Sequence, residues 1–249
     1  MQTYHTRTVR EIALELPLTT RVFEEFKIDY CCHGDVPFDE ACTTAGTSPD
    51  LVIEKIEMLL SSEGAAPTDS FKAMRLRDLI GHIIEKHHIF TRNEIRHLMP
   101  LMSKVARRHG EYHRNLVEME EVFKSLCSEL GLHMKKEEMV LFPYIEILET
   151  ADELGRMPMP PPFGTVRNPV TMMVSEHENA GKMLARLRSL SEDYELPEGA
   201  CPSFTALYHR MEAFEKDLHQ HIHLENNLLF PRAIELEKQA IGPITAPLF

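Results

Sequence analysis

The sequence predicts an all-α protein: a four-helix bundle preceded by a small helical domain. Apolar residues recur at three- and four-residue steps through about 73–104, 112–150, 168–192 and 203–240, the period of long amphipathic helices. Sustained strand alternation occurs nowhere along the chain. A stretch of small residues, Gly and Pro at 61–70 (SSEGAAPTDS) reads as a linker between the long patterns and shorter ones before it. Two domains are therefore expected, over 1–62 and 72–240.

In the first domain, short helical patterns cover Val9–Leu16 and Thr19–Phe26, with Thr19 or Thr20 as N-cap. Pro49 suits the first turn of a helix running to Leu60, capped by Ser48. A unit of this size has a marginal core by area alone. In the second domain, breaks are expected at Arg107–Gly110, at Arg156–Gly164 (RMPMPPPFG) and at Leu196–Pro202 (LPEGACP). The Pro-rich break cannot be helical throughout and reads as an extended crossover.

The composition narrows the function classes. With a formal charge of −12 over 249 residues, the chain lacks the basic balance of a nucleic-acid binder. No stretch approaches the ~20 apolar residues of a membrane span, and Met1–Pro17 has no signal-peptide apolar core. The expected location is the cytoplasm, with no nucleic acid and no membrane as partner. The 5 cysteines, with Cys31 and Cys32 adjacent and Cys42, Cys127 and Cys201 irregularly spaced, form no disulfide framework and fit a reducing compartment. The 14 histidines direct attention to metal ligands.

An internal repeat places them. His133 begins HMKKEEMVLFP and His221 begins HIHLENNLLFP; Glu137 and Glu225 follow four residues later, and both segments end in Leu-Phe-Pro. Upstream, His88 and His177 precede those histidines by 45 and 44 residues, so a helical hairpin is duplicated. On an α-helix, HxxxE puts both side chains on one face, about 6 Å apart in height. His88 and His133 lie roughly equally far from their connecting break, as do His177 and His221. Each pair then falls at similar height at a ~1.5 Å rise per residue.

Four imidazoles and two carboxylates would converge in the bundle core. Two His per metal, with bridging carboxylates, suits two transition-metal ions, although His and Glu bind iron, manganese and zinc alike. Glu129 and Asp217, one turn before His133 and His221, are candidates to accept the second imidazole N–H, and Glu176 is another. His82, His87, His219 and His223 point off the inward face, while His97, His109, His113 and His209 read as mainly surface residues. Leu141, Phe142, Leu229 and Phe230 are expected to pack beside the site, with Pro143 and Pro231 kinking or restarting their helices. The Met residues are expected to fill core gaps.

The duplicated His…HxxxE pattern resembles a hemerythrin-like di-iron domain. Asp29-Tyr30-Cys31-Cys32, with Gly34 close behind, resembles the vicinal-cysteine motif that precedes such a domain in Repair of Iron Centres (ScdA/YtfE-type) proteins. His33 departs from that pattern, which usually has Gly after the cysteine pair. The resemblance implies two Fe ions per chain, oxo- and carboxylate-bridged, held by His88, His133, Glu137, His177, His221 and Glu225, with Glu137 and Glu225 as the bridges. It further implies repair of iron–sulfur clusters damaged by nitrosative or oxidative stress, by iron donation to the damaged proteins, with nitric oxide or oxygen as small ligands. The other function classes are a di-iron nitric oxide reductase and a diatomic-gas or iron sensor. Cys31 and Cys32 are expected to contact a client cluster, to accept iron transiently or act in redox chemistry, or to crosslink subunits into a homodimer.

Overall fold

A computed structural model describes residues 4–63 and 70–241, which form two compact units: 4–63 and 70–75 with 219–231, and 76–218 with 232–241. In the first unit a 3-10 turn at Tyr4–Thr6 leads into α1, Val9–Glu15. The Thr8 hydroxyl accepts from the Glu11 amide while the Glu11 carboxylate accepts from the Thr8 amide, at 3.2 and 2.9 Å. This capping box answers two of the helix's unpaired donors.

Helix α2 spans Thr19–Phe26, as the pattern predicts, but Leu18 occupies its N-cap. Thr19 and Thr20 instead donate their hydroxyls back to the carbonyls of Leu16 and Pro17, at 2.7 and 2.8 Å. Threonine in a first helical turn can bond backward in this way, which removes it from capping duty. Lys27 closes the helix in a left-handed conformation, with φ of 58°. Helix α3, Phe38–Thr44 (FDEACTT), gave no periodic pattern, because Phe38 is its one large apolar residue. Helix α4 runs Pro49–Glu63, so the first three residues of the expected linker continue the helix, and residues 64–69 lie outside the described residues. Val9, Ile12, Phe23, Tyr30, Phe38, Val52 and Ile56 are buried and form this unit's core.

The segment between α2 and α3 is pinned along the start of α1: Val9 N donates to Val36 O, Arg10 N to Gly34 O, and Phe38 N to Arg7 O. Gly34 is required there. A Cβ at this position would lie 2.9 Å from the Tyr30 carbonyl and 3.0 Å from Arg10 Cβ.

After the short α5, Ser70–Ala73, come the long helices. The first combines α6 (Leu76–His82), a π-helical turn (Ile83–His88) and α7 (Ile89–His109). The second combines α8 (Asn115–Lys136), a π turn (Glu137–Leu141) and α9 (Phe142–Glu153). Helix α10 is an uninterrupted Arg167–Leu190. The fourth runs α11 (Pro202–Leu224), a π turn (Glu225–Leu229) and α12 (Phe230–Ile241).

Pro143 and Pro231 stand just past two of the π turns. Proline has no N–H and its ring crowds the carbonyl four residues back. The wider i→i+5 turn takes up that mismatch without breaking the helix. Met102, Met119, Met134, Met173 and Met211 fill the core as expected, whereas Met139, Met157, Met159 and Met172 are exposed.

Two buried carboxylates fasten the helix connections of the second unit. Glu149 accepts from the amides of Leu76 (2.6 Å) and Arg77 (3.1 Å) and from Arg77 Nε (2.8 Å), so a negative charge caps the start of α6. Glu237 accepts from Tyr144 Oη, Thr165 Oγ1 and the Val166 amide. It thereby anchors the end of the Pro-rich crossover, which is non-helical as its prolines require.

Candidate metal centre

The repeat's six residues sit on the four long helices. His88 ends the π turn of the first, His133 lies in the last turn of α8, His177 in α10 and His221 in α11. Glu137 and Glu225 each open a π turn. An extra residue per turn re-aims the side chains that follow, and π turns recur at functional sites for that reason. Three of the six residues lie in such turns, a feature that the spacing alone did not signal.

All six are buried, with side-chain-bearing residues between 0 and 3% exposed. Their donor atoms fall into two groups: His88, Glu137, His221 and Glu225, and His133, Glu137, His177 and Glu225. Within each group the ligand atoms lie within 4.8 Å of one another, and both carboxylates belong to both groups. Nε2 of His88 and of His133 stand 3.5 and 3.2 Å from the two oxygens of Glu137. His221 Nε2 is 3.0 Å from Glu225 Oε1, and the Nε2 atoms of His133 and His177 face each other at 3.0 Å.

This donor set fits metal cations. Two carboxylates sealed from solvent are costly unless positive charge compensates them. Nitrogen and oxygen donors without thiolate suit iron, manganese or zinc, and cations held there would compensate the two buried negative charges.

The far nitrogens of two imidazoles are held by carboxylates. His88 Nδ1 pairs with Glu138 Oε1 at 2.6 Å and His133 Nδ1 with Glu176 Oε2 at 2.8 Å. Such partners place the ring proton on Nδ1 and turn the Nε2 lone pair inward. Burial pushes the Glu138 carboxyl up, but hydrogen bonds from His88 and Arg92 outweigh it and hold the group below its usual range. At Glu176, burial is likewise outweighed by Lys136 and His133. Phe142 stacks on the His88 ring, with centroids 5.7 Å apart and planes at 19°. A cavity of about 260 Å³ opens onto His133 and His177, rimmed by Glu129, Leu132, Lys136 and Glu176.

Two expected orienting residues do other work. Glu129 accepts from Asn179 Nδ2, and Asp217 pairs with His87 Nδ1 at 3.0 Å. A residue one turn behind a ligand on the same helix points along that helix; the imidazole's outer nitrogen instead meets carboxylates on the neighbouring helix. Glu138 gave no signal in the sequence, because its partner lies 50 positions away. Of the remaining histidines, His97 and His209 are exposed, His109 Nε2 meets Cys201 Sγ at 3.2 Å, and His223 Nδ1 meets Tyr30 O at 3.2 Å.

Cys31 and Cys32 are thiols in the segment between α2 and α3, with their sulfurs 3.7 Å apart. They belong to a separate group with Asp29. The cysteine backbone is tied to the helical segment of its own unit: Asn226 Nδ2 donates to Cys31 O, and Asn227 Nδ2 donates to Tyr30 O.

Comparison with known proteins identifies two families along the chain. The family model of the hemerythrin HHE cation binding domain matches residues 79–233, and that of the ScdA N-terminal domain, a domain of unknown function (DUF542), matches 5–60. The chain is 32% identical over 236 residues to the protein named iron-sulfur cluster repair protein YtfE of Pectobacterium carotovorum subsp. carotovorum (strain PC1), covering 94% of this chain and 99% of that one. The same name, identity and coverage hold for Pectobacterium atrosepticum. The Yersinia pseudotuberculosis protein of that name is 31% identical over the same shares.

Proposed function

We infer the function from one premise: the chain belongs to the hemerythrin HHE cation-binding family, with an ScdA N-terminal domain ahead of it. It is an iron–sulfur cluster repair protein, which we propose acts by donating iron held as a pair of ions. Likeness to proteins named for that repair, over nearly the whole length of both chains, supports the role. The observation that carries the two-ion reading is the membership of Glu137 and Glu225 in both four-donor groups.

His88 and His221 would hold one ion, His133 and His177 the other, with the two carboxylates spanning both. Iron in such a centre supplies redox-active, exchangeable coordination to nitrogen and oxygen donors. The residues of the chain do the rest. Glu138 and Glu176 fix the His88 and His133 rings in the ligating tautomer. The cavity beside His133 and His177 gives small ligands such as nitric oxide or oxygen a way in. Cys31 and Cys32 are proposed to act in iron transfer, with damaged iron–sulfur proteins as partners. A cytoplasmic location and the domain limits 1–62 and 72–240 are part of the same proposal. Among the described residues, no helix is long and apolar enough to cross a membrane.

The test loads the protein with isotopically labelled iron and mixes it with an apo iron–sulfur protein, sulfide and a reductant. Label appearing in the rebuilt cluster supports donation. Cluster recovery with the label retained on this chain, or catalytic nitric oxide consumption without transfer, overturns it.

A further inference from the structure

Outside the His/Glu groups, Asp29, Cys31 and Cys32 bring three metal-binding atoms within 4.8 Å of one another. Two of their separations are close to those of a tetrahedral site. Two metal–sulfur bonds of about 2.3 Å at the tetrahedral angle set the sulfurs about 3.8 Å apart, and a metal–oxygen bond of about 2.1 Å sets oxygen about 3.6 Å from each sulfur. The observed Cys31 Sγ to Cys32 Sγ distance is 3.7 Å, and Cys31 Sγ lies 3.4 Å from Asp29 Oδ1.

The cluster is held in place before any ion arrives. Asp29 Oδ1 accepts from the amides of Cys31 and Cys32, at 3.0 and 2.9 Å. Its other oxygen meets His33 Nδ1 at 2.7 Å. The carbonyls of Tyr30 and Cys31 are fixed by Asn227 and Asn226. His33, the residue that departs from the family pattern, needs no glycine-like backbone: among the described residues, positive φ outside glycine is confined to Lys27, Glu192, Asp193 and Tyr194. Its imidazole orients the carboxylate, as the outer partners of metal-binding groups do.

We propose that Asp29, Cys31 and Cys32 bind one divalent ion of borderline softness, Fe²⁺ or Zn²⁺, with His33 as the positioning residue and a fourth coordination place open to solvent or to a client. The inference extends the transfer role given to the cysteines above, yet it stands on its own geometry. Binding replaces the two thiol protons, which leave to solvent, and changes no oxidation state. Cys32 and Asp29 reach the surface while Cys31 is buried, so the site has one sealed side and one accessible side.

The experiment uses the full chain with its metal content as purified measured first, then titrates Co²⁺ and follows thiolate-to-cobalt charge transfer in the near ultraviolet. One further cobalt per chain with that absorption is expected. Cys31→Ser and Cys32→Ser should abolish it, and Asp29→Asn and His33→Gln should weaken binding about 10-fold or more. Cys42→Ser and Cys201→Ser should leave it intact. Cys32→Ser is a near-isosteric change at a half-buried position, so its reading holds where the Asp29 variant disturbs the loop. No thiolate band in the wild-type chain, or a band that survives in Cys31→Ser and Cys32→Ser, overturns the proposal whatever the repair assay shows.

Discussion

Glu176 stands one residue before His177, yet its carboxylate pairs with Nδ1 of His133, on a different helix, at 2.8 Å. Glu138 does the same for His88 at 2.6 Å. Both acids follow or precede a proposed ligand in sequence and orient another one across a helix interface. Glu138→Gln and Glu176→Gln should each lower metal affinity about 10- to 100-fold with the helical fold intact, measured by competition with a chelator. Unchanged affinity in both would remove them from the centre.

Gly34 is expected to resist even alanine. A Cβ there meets the Tyr30 carbonyl at 2.9 Å and Arg10 Cα at 3.4 Å, and backbone atoms yield little. Gly34→Ala should cost about 1–3 kcal/mol in denaturant unfolding. Gly46→Ala is a poor control because its φ is +73°; Gly131→Ala, in open space on α8, should cost nothing.

Glu149 makes stability depend on acid. Burial raises its carboxyl, but the Arg77 side chain and the amides of Arg77 and Leu76 outweigh it and hold the group below the usual glutamate range. A folded-state value below the unfolded one favours folding wherever the unfolded carboxyl is ionised. That contribution is therefore full at neutral pH and disappears as pH falls through the folded-state value. Glu149→Gln should destabilise by about 2 kcal/mol at pH 7, with the gap from wild type closing below about pH 4.

Cysteine reactivity should follow burial. Burial and the Asp39 charge push the Cys42 thiol to about 11, and burial pushes Cys127 to about 12. At pH 8 roughly 0.1% or less of each is thiolate. Iodoacetamide should label the half-buried Cys201 well before either, as peptide mapping over time would show. Equal rates would mean that the core opens far more readily than its packing implies.

His88 and His177 were legible from the duplicated separations of 45 and 44 residues. The four long helices and the two HxxxE pairs were legible because both rest on spacing within one helix, where period and height are fixed by backbone geometry. Helix α2 emerged with its bounds intact for the same reason. What spacing could not carry was long-range pairing. Glu138 with His88 and Glu149 with the start of α6 depend on which helices become neighbours. The π turns were hidden too: Leu-Phe-Pro marked two of them as kinks, but nothing in Ile83–His88 distinguishes a π turn from an ordinary one. His33, an oddity in the sequence, acquires meaning only beside Asp29.

Metal content and the absorption spectrum of the purified chain, beside His133→Ala and Glu225→Ala, test the central claim most directly. About two irons per chain with a diferric spectrum, and loss of that spectrum in both variants, is the predicted result. A stably folded chain that takes up no iron, or whose iron is indifferent to both substitutions, would contradict it.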